Sequence, residues 1–170
     1  MPTHSNPPKT GIVMDPRYLK HETGESHPEN AGRLEAVYTM LETCEYVQRC
    51  CLLTPRPCTV DQLALIHARG YIERIAATAV RPFSSLTADT PVSSQSYRVA
   101  RLAAGGLLQA IREVWEGRMA NAIALARPPG HHAEVARAMG FCLFNNVAVG
   151  AVFARRKLKA RRVLIVDWDV

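Results

Sequence analysis

The chain has 170 residues, of which 48% are hydrophobic and 21% charged. That balance excludes a disordered polypeptide and suffices for one domain with its own core. The formal charge of +6 is local, because six of the 21 basic residues form the run Arg155, Arg156, Lys157, Lys159, Arg161 and Arg162 and the rest balance the 15 acidic ones. Such a run reads as the solvated end of a helix, so direct nucleic-acid binding is not expected from it. No stretch of about 18 apolar residues and no charged-then-apolar leader occurs, so neither a membrane partner nor secretion is expected.

The first ten residues are polar and proline-rich and read as a flexible tail, leaving 11–170 as the folded unit. Gly11 to Met14 is a candidate first strand. Leu34, Val37, Tyr38 and Leu41 recur at helical spacing and predict a helix over about 30–47, with Ser26 and Glu29 as a capping box. Pro55 and Pro57 break the chain before Thr59, whose spacing to Gln62 signals a helix start, and short helices should fill 60–80. Residues 81–96 are rich in Pro, Ser, Thr and Asp and read as a surface loop with Asp89 in its middle.

Apolar positions at Tyr97, Ala100, Ala104, Leu107, Leu108, Ile111 and Val114 mark the clearest helix, over 94–116, ended by Gly117. Its Gly105-Gly106 pair predicts tight packing against a sheet. Residues 120–126 read as a short buried strand, 146–159 as a helix, and 162–166 as a strand whose continuous apolarity indicates burial on both faces. Strand, helix and strand in this order predict an α/β fold with a mainly parallel sheet.

Five cysteines, at 44, 50, 51, 58 and 142, form no CxxC pair and fit reduced thiols, hence a cytoplasmic protein, or a nuclear one in a eukaryote. Ligands of parallel sheets bind at the strands' carboxyl ends, and two polar clusters are expected there: Arg127 to His132, and Asp167-Trp168-Asp169. Paired imidazoles backed by carboxylates suit acid-base chemistry. Asp-x-Asp spacing turns both carboxylates to one side of an extended chain, as metal binding requires.

Five segments in order, DPRYLKHETGESHPENAGRLEAV (15–37), LALIHARGYIERI (63–75), ADTPVSSQSYRVARLAAGG (88–106), RPPGHHAEVARAMGFCLFNNVAVGA (127–151) and RVLIVDWDV (162–170), resemble the zinc-dependent histone deacetylase superfamily. The likeness is nearest to class II, bacterial deacetylase-like proteins and acetylpolyamine amidohydrolases. It implies the arginase/deacetylase α/β fold and Zn2+-dependent hydrolysis of an acetylated protein or a small acetylated amine. His131 and His132 match the tandem histidines that handle protons on the water and the leaving amine. Asp167 matches the carboxylate behind His131, whose family position also contributes to a monovalent cation (K+) site, and Asp169 matches the first zinc-ligand aspartate. Gly140 and Phe141 match the substrate loop and tunnel wall, Asp89 the rim aspartate that grips the substrate backbone, and Arg33 a buried arginine near an internal channel.

In the family, the histidine zinc ligand follows directly after the position of Val170, with another aspartate ligand and a tyrosine further on. The resemblance therefore implies an N-terminal part of a catalytic domain that is inactive alone, truncated after a central strand, and prone to self-association through that strand. The competing expectation is a noncatalytic binding or regulatory protein of deacetylase ancestry.

Overall fold

The computed structural model describes residues 9–169, so most of the tail expected over 1–10 lies outside the described residues. The principal elements are β1 (Thr10–Met14), α1 (Ala31–Thr43), α2 (Glu45–Gln48), β2 (Cys51–Leu52), α3 (Val60–Leu63), α4 (Arg69–Ala77), β3 (Phe83–Thr87), β4 (Thr90–Ser93), α5 (Ser96–Trp115), β5 (Asn121–Leu125) and α6 (Asn146–Arg156). A parallel sheet in the order β2-β1-β5 is flanked by helices, and β1 pairs with β5 from Thr10↔Asn121 to Met14↔Leu125. None of the described helices is long and apolar enough to cross a membrane.

The 20-residue α5 organises the packing because its small and apolar residues point two ways. Ala100, Ala104 and Leu108 join a cluster with Ile72, Ile75, Phe144, Val149 and Phe153, whereas Val99, Leu102 and Ala103 join Val13, Tyr18 and Tyr38 on the sheet side. The glycine pair serves close approach, but only Gly106 does so toward the sheet, near Val13 of β1, whereas Gly105 meets the non-strand segment 56–58. A Cβ on Gly105 would stand 1.8 Å from the Arg56 carbonyl oxygen, and one on Gly106 would stand 2.4 Å from Tyr18 Oη. The 56–58 segment is held there by Cys58 N–H donating to Arg101 O (2.9 Å) and Arg101 Nε to Cys58 O (2.8 Å).

At the carboxyl ends of the strands, Tyr38 Oη donates to Leu125 O (2.8 Å) and accepts from Asp15 N–H (3.1 Å), which ties α1 to the ends of β1 and β5. The Thr59/Gln62 capping box forms reciprocally, as its spacing predicts.

Several expectations are corrected. Residues 81–96 are mainly an antiparallel hairpin, β3 with β4, because Val92 is drawn into the core and Asp89 supplies the turn. The Ser26/Glu29 capping box does not form: Asn30 occupies the N-cap without a side-chain cap bond, its Nδ2 donating back to His27 O (2.9 Å), and Glu29 is buried against Arg127. The predicted helix over 30–47 divides at Cys44, and that over 146–159 ends at Arg156. β5 is only half covered, with Ile123 exposed. Residues 162–166 form no strand among the described residues and are exposed along their length, because continuous apolarity marks a segment that wants covering without supplying the neighbours that cover it.

Candidate active site

Both polar clusters meet at the carboxyl edge of the sheet. The 127–132 loop leaves the end of β5 and folds back over the first turn of α6, while 162–169 passes alongside. His131 stands between two carboxylates. Its Nδ1 lies 2.9 Å from Asp167 Oδ2 and its Nε2 3.1 Å from Asp169 Oδ2. The Asp169 backbone N–H, and then the His131 ring, hold the Asp167 carboxyl below the usual carboxylate range, so it is the acceptor and Nδ1–H the donor. The His132 ring packs 4.1 Å from that of His131. A cleft of about 410 Å³ opens here, lined by Pro129, His131, Asn145, Val166, Asp167 and Asp169.

Gly140 and Phe141 come to the same place. Both take left-handed backbone (φ 56° and 69°), and a Cβ on Gly140 would fall 2.4 Å from the His132 ring, so glycine lets this loop lie on the imidazole. Asp89 accepts from Gly140 N–H (3.1 Å) and, through its other oxygen, from the Thr87 and Thr90 hydroxyls. The hydroxyls, Thr87 first, hold its carboxyl below the ordinary value. The Phe141 ring meets His27 edge to face at 4.8 Å.

Arg33 departs from its expected place. Leu34 and Tyr38 turn inward from α1, and Arg33, about 100° around the helix from Leu34, is exposed. The buried arginine of this region is Arg127, which donates from Nε to Glu29 Oε1 (2.5 Å) and from NH2 to Glu29 Oε2 (3.0 Å). Next to them His21 is enclosed, with Nδ1 against Ser96 Oγ (2.7 Å). Burial, and then the Arg127 cation, push the His21 imidazole down to about 3, so its 3.8 Å approach to Glu29 is not an ion pair at neutral pH.

Sequence reasoning reads Glu29 as a cap and Arg127 as the start of a polar cluster, without pairing them, and passes over the two asparagines that follow Phe144. Asn145 caps α6 by accepting from Ala148 N–H (2.9 Å), and its Nδ2 donates to the carbonyls of His131 (3.2 Å) and Ala133 (3.1 Å). An asparagine just before an apolar helical run carries the N-cap signal, but the partners of its amide are not written in local sequence.

The donor chemistry suits zinc. Asp169 offers a carboxylate oxygen, a donor that zinc takes, and ring nitrogens of His131 and His132 lie within 4.8 Å of it and of one another, close enough to exchange protons with a water held there.

Comparison with known proteins decides the family, since the histone deacetylase domain matches residues 27–170. The chain belongs to the histone deacetylase family. It is 40% identical over 166 residues to Histone deacetylase 15 of Arabidopsis thaliana, covering 95% of this chain and 30% of that protein. Polyamine deacetylase HDAC10 of Danio rerio is 38% identical over 144 residues, covering 81% and 21%. The crystal structure of the HDA15 HD domain superposes with a TM-score of 0.85 at 37% identity, covering 89% of this chain and 44% of the other. The fold is therefore the arginase/deacetylase-like one of histone deacetylases, and the chain spans less than half the length of each of these relatives.

Proposed function

We propose that the chain carries the proton-handling side of a zinc-dependent deacetylase centre, acting on acetyl-lysine in proteins or on a small acetylated amine. The observation that carries this reading is the seating of His131 between Asp167 and Asp169 with His132 beside it. Asp169 would hold the zinc, and Asp167 would also serve a monovalent cation. Zinc, when bound, supplies Lewis acidity to the scissile carbonyl and the attacking water.

The chain's own residues do the rest. Asp167 accepts the Nδ1–H of His131, which fixes the tautomer and leaves Nε2 as the basic nitrogen. The two imidazoles take the proton of the attacking water and return one to the amine as the C–N bond breaks, releasing acetate. The Gly140–Phe141 loop, laid on His132, lines the path of the acyl chain, and Asp89 stands at its rim to grip the substrate backbone. Relatives named for histone and for polyamine deacetylation support both substrate classes.

The test is made on the chain alone and on the chain joined in frame to the rest of a histone deacetylase domain. Alone, it should hold less than one zinc after dialysis and release no acetate from acetyl-lysine peptide or acetylpolyamine, because Asp169 is the one family zinc-ligand carboxylate among the described residues. Joined, it should release acetate, and His132→Ala should lower kcat about 10²-fold with zinc retained. Absence of acetate release from the joined, zinc-loaded protein would overturn the reading in favour of a binding or regulatory role.

A further inference from the structure

We propose that Asn145 and Asn146 are positioning residues that clamp the tandem-histidine loop and thereby aim His131 and His132; this rests on the deacetylase reading. The loop is a proline-glycine turn, Pro128-Pro129-Gly130, that leaves β5 with no regular structure of its own; Ala133 N–H donates to Gly130 O from within it (3.1 Å), and the carbonyls of Pro128, His131 and Ala133 take donors from outside. The first turn of α6 supplies them. Asn146 Nδ2 donates to Pro128 O (3.2 Å), and Asn145 Nδ2 donates to His131 O and Ala133 O. Pro128 O precedes the two histidines, His131 O lies in the peptide that joins them and Ala133 O follows one residue after them, so one side chain, Asn145, holds the chain both before His132 and just beyond it.

The clamp is itself held. Asn145 N–H donates to Nε2 of the buried His67 (2.9 Å), which fixes the backbone from which the amide projects. Burial pushes the His67 imidazole below its ordinary pKa and so preserves the neutral, accepting nitrogen. Contact is close: a Cβ on Gly130 would lie 2.6 Å from both Asn146 N and Phe144 O. Tyr71 Oη anchors the preceding stretch through Leu143 O (2.6 Å). An amide that served only to cap the helix would use its oxygen alone; here the nitrogen is committed to the histidine loop as well.

Asn145→Asp separates capping from clamping. Aspartate caps as well as asparagine, so the bond from Ala148 N–H and the α6 helix persist, but it has no N–H for His131 O and Ala133 O. The readout is the His131 Nδ1–H resonance in nitrogen-15 NMR of the whole chain, the proton held by Asp167. With two loop bonds removed, its solvent exchange should quicken about tenfold while the helical circular dichroism is kept. Asn146→Leu, which removes only the bond to Pro128 O, should quicken it severalfold and decides the matter if Asn145→Asp fails to fold. Unchanged exchange in folded Asn145→Asp, or in Asn146→Leu where that variant decides, would overturn the proposal. Deacetylation does not enter this measurement, so the clamp and the deacetylase reading fail separately.

Discussion

Buried charge and buried imidazole dominate at the scale of single residues. His21 titrates near 3 in the folded chain, against an ordinary 6.5, because burial, the Arg127 cation and His27 all disfavour its protonation. A base depressed in this way gives its full stability above pH 6.5, and that stability is lost as pH falls from 6.5 toward 3. The unfolded chain takes up the proton first. About 2 kcal/mol should be gone by pH 5, with His67 pulling the same way. Melting temperatures from pH 8 to 5 should therefore fall, and His21→Gln should flatten the slope; an equal slope in both proteins would contradict this account.

Arg127 carries a second residue-scale consequence. Arg127→Leu leaves the Glu29 carboxylate, 2% exposed, without its cation, and the loss should be about 3–5 kcal/mol in urea denaturation.

Between elements, contact distance decides what helix propensity does not. Alanine is a better helix former than glycine by about 1 kcal/mol, so Gly→Ala inside α4 or α5 would be stabilising on propensity alone. At Gly70 of α4 nothing lies within 4 Å of the added carbon, and Gly70→Ala should be neutral or raise stability. In α5, Gly105→Ala would press a methyl onto the Arg56 carbonyl and the Cys58 amide nitrogen at 2.6 Å, both backbone atoms that cannot turn aside. It should cost about 3 kcal/mol, parting α5 from the 56–58 segment. Urea midpoints moving the same way in both variants would mean that the α5 contact is looser than these distances state.

At the scale of the whole molecule, apolar surface is left open near the end of the described residues. Leu164 is 86% and Val166 66% exposed, and β5 is paired only with β1 among the described residues. Free strand edges beside apolar side chains pair between chains. The 170-residue chain should scatter light as an oligomer at rising concentration and bind a hydrophobic dye, and Leu164→Lys with Val166→Lys should reduce both. A monomer that binds no dye would show that this surface is tolerated as it stands.

Sequence determined those features whose causes lie within a few residues of one another. β1, α5 and β5 follow from apolar runs and periodicity, the α3 cap from the Thr59-Gln62 spacing, and the place of His131 from the rule that puts polar clusters at strand ends, although Asp167 and Asp169 meet it from a segment that forms no strand. The ordered motifs carried the family, and residues 27–170 match it. Tertiary structure alone decided the rest. Glu29 reads locally as a capping residue but is taken by Arg127, 98 positions away; Arg33 is turned outward by the faces that Leu34 and Tyr38 must bury; the Pro- and Ser-rich stretch at 81–96 becomes a hairpin because Val92 finds the core. The asparagine clamp is likewise invisible in sequence, since an amide's partners are set by which carbonyls the fold leaves without donors. Periodicity and capping are local free energies written in neighbouring residues, whereas a buried polar group takes whatever partner packing brings within 3 Å.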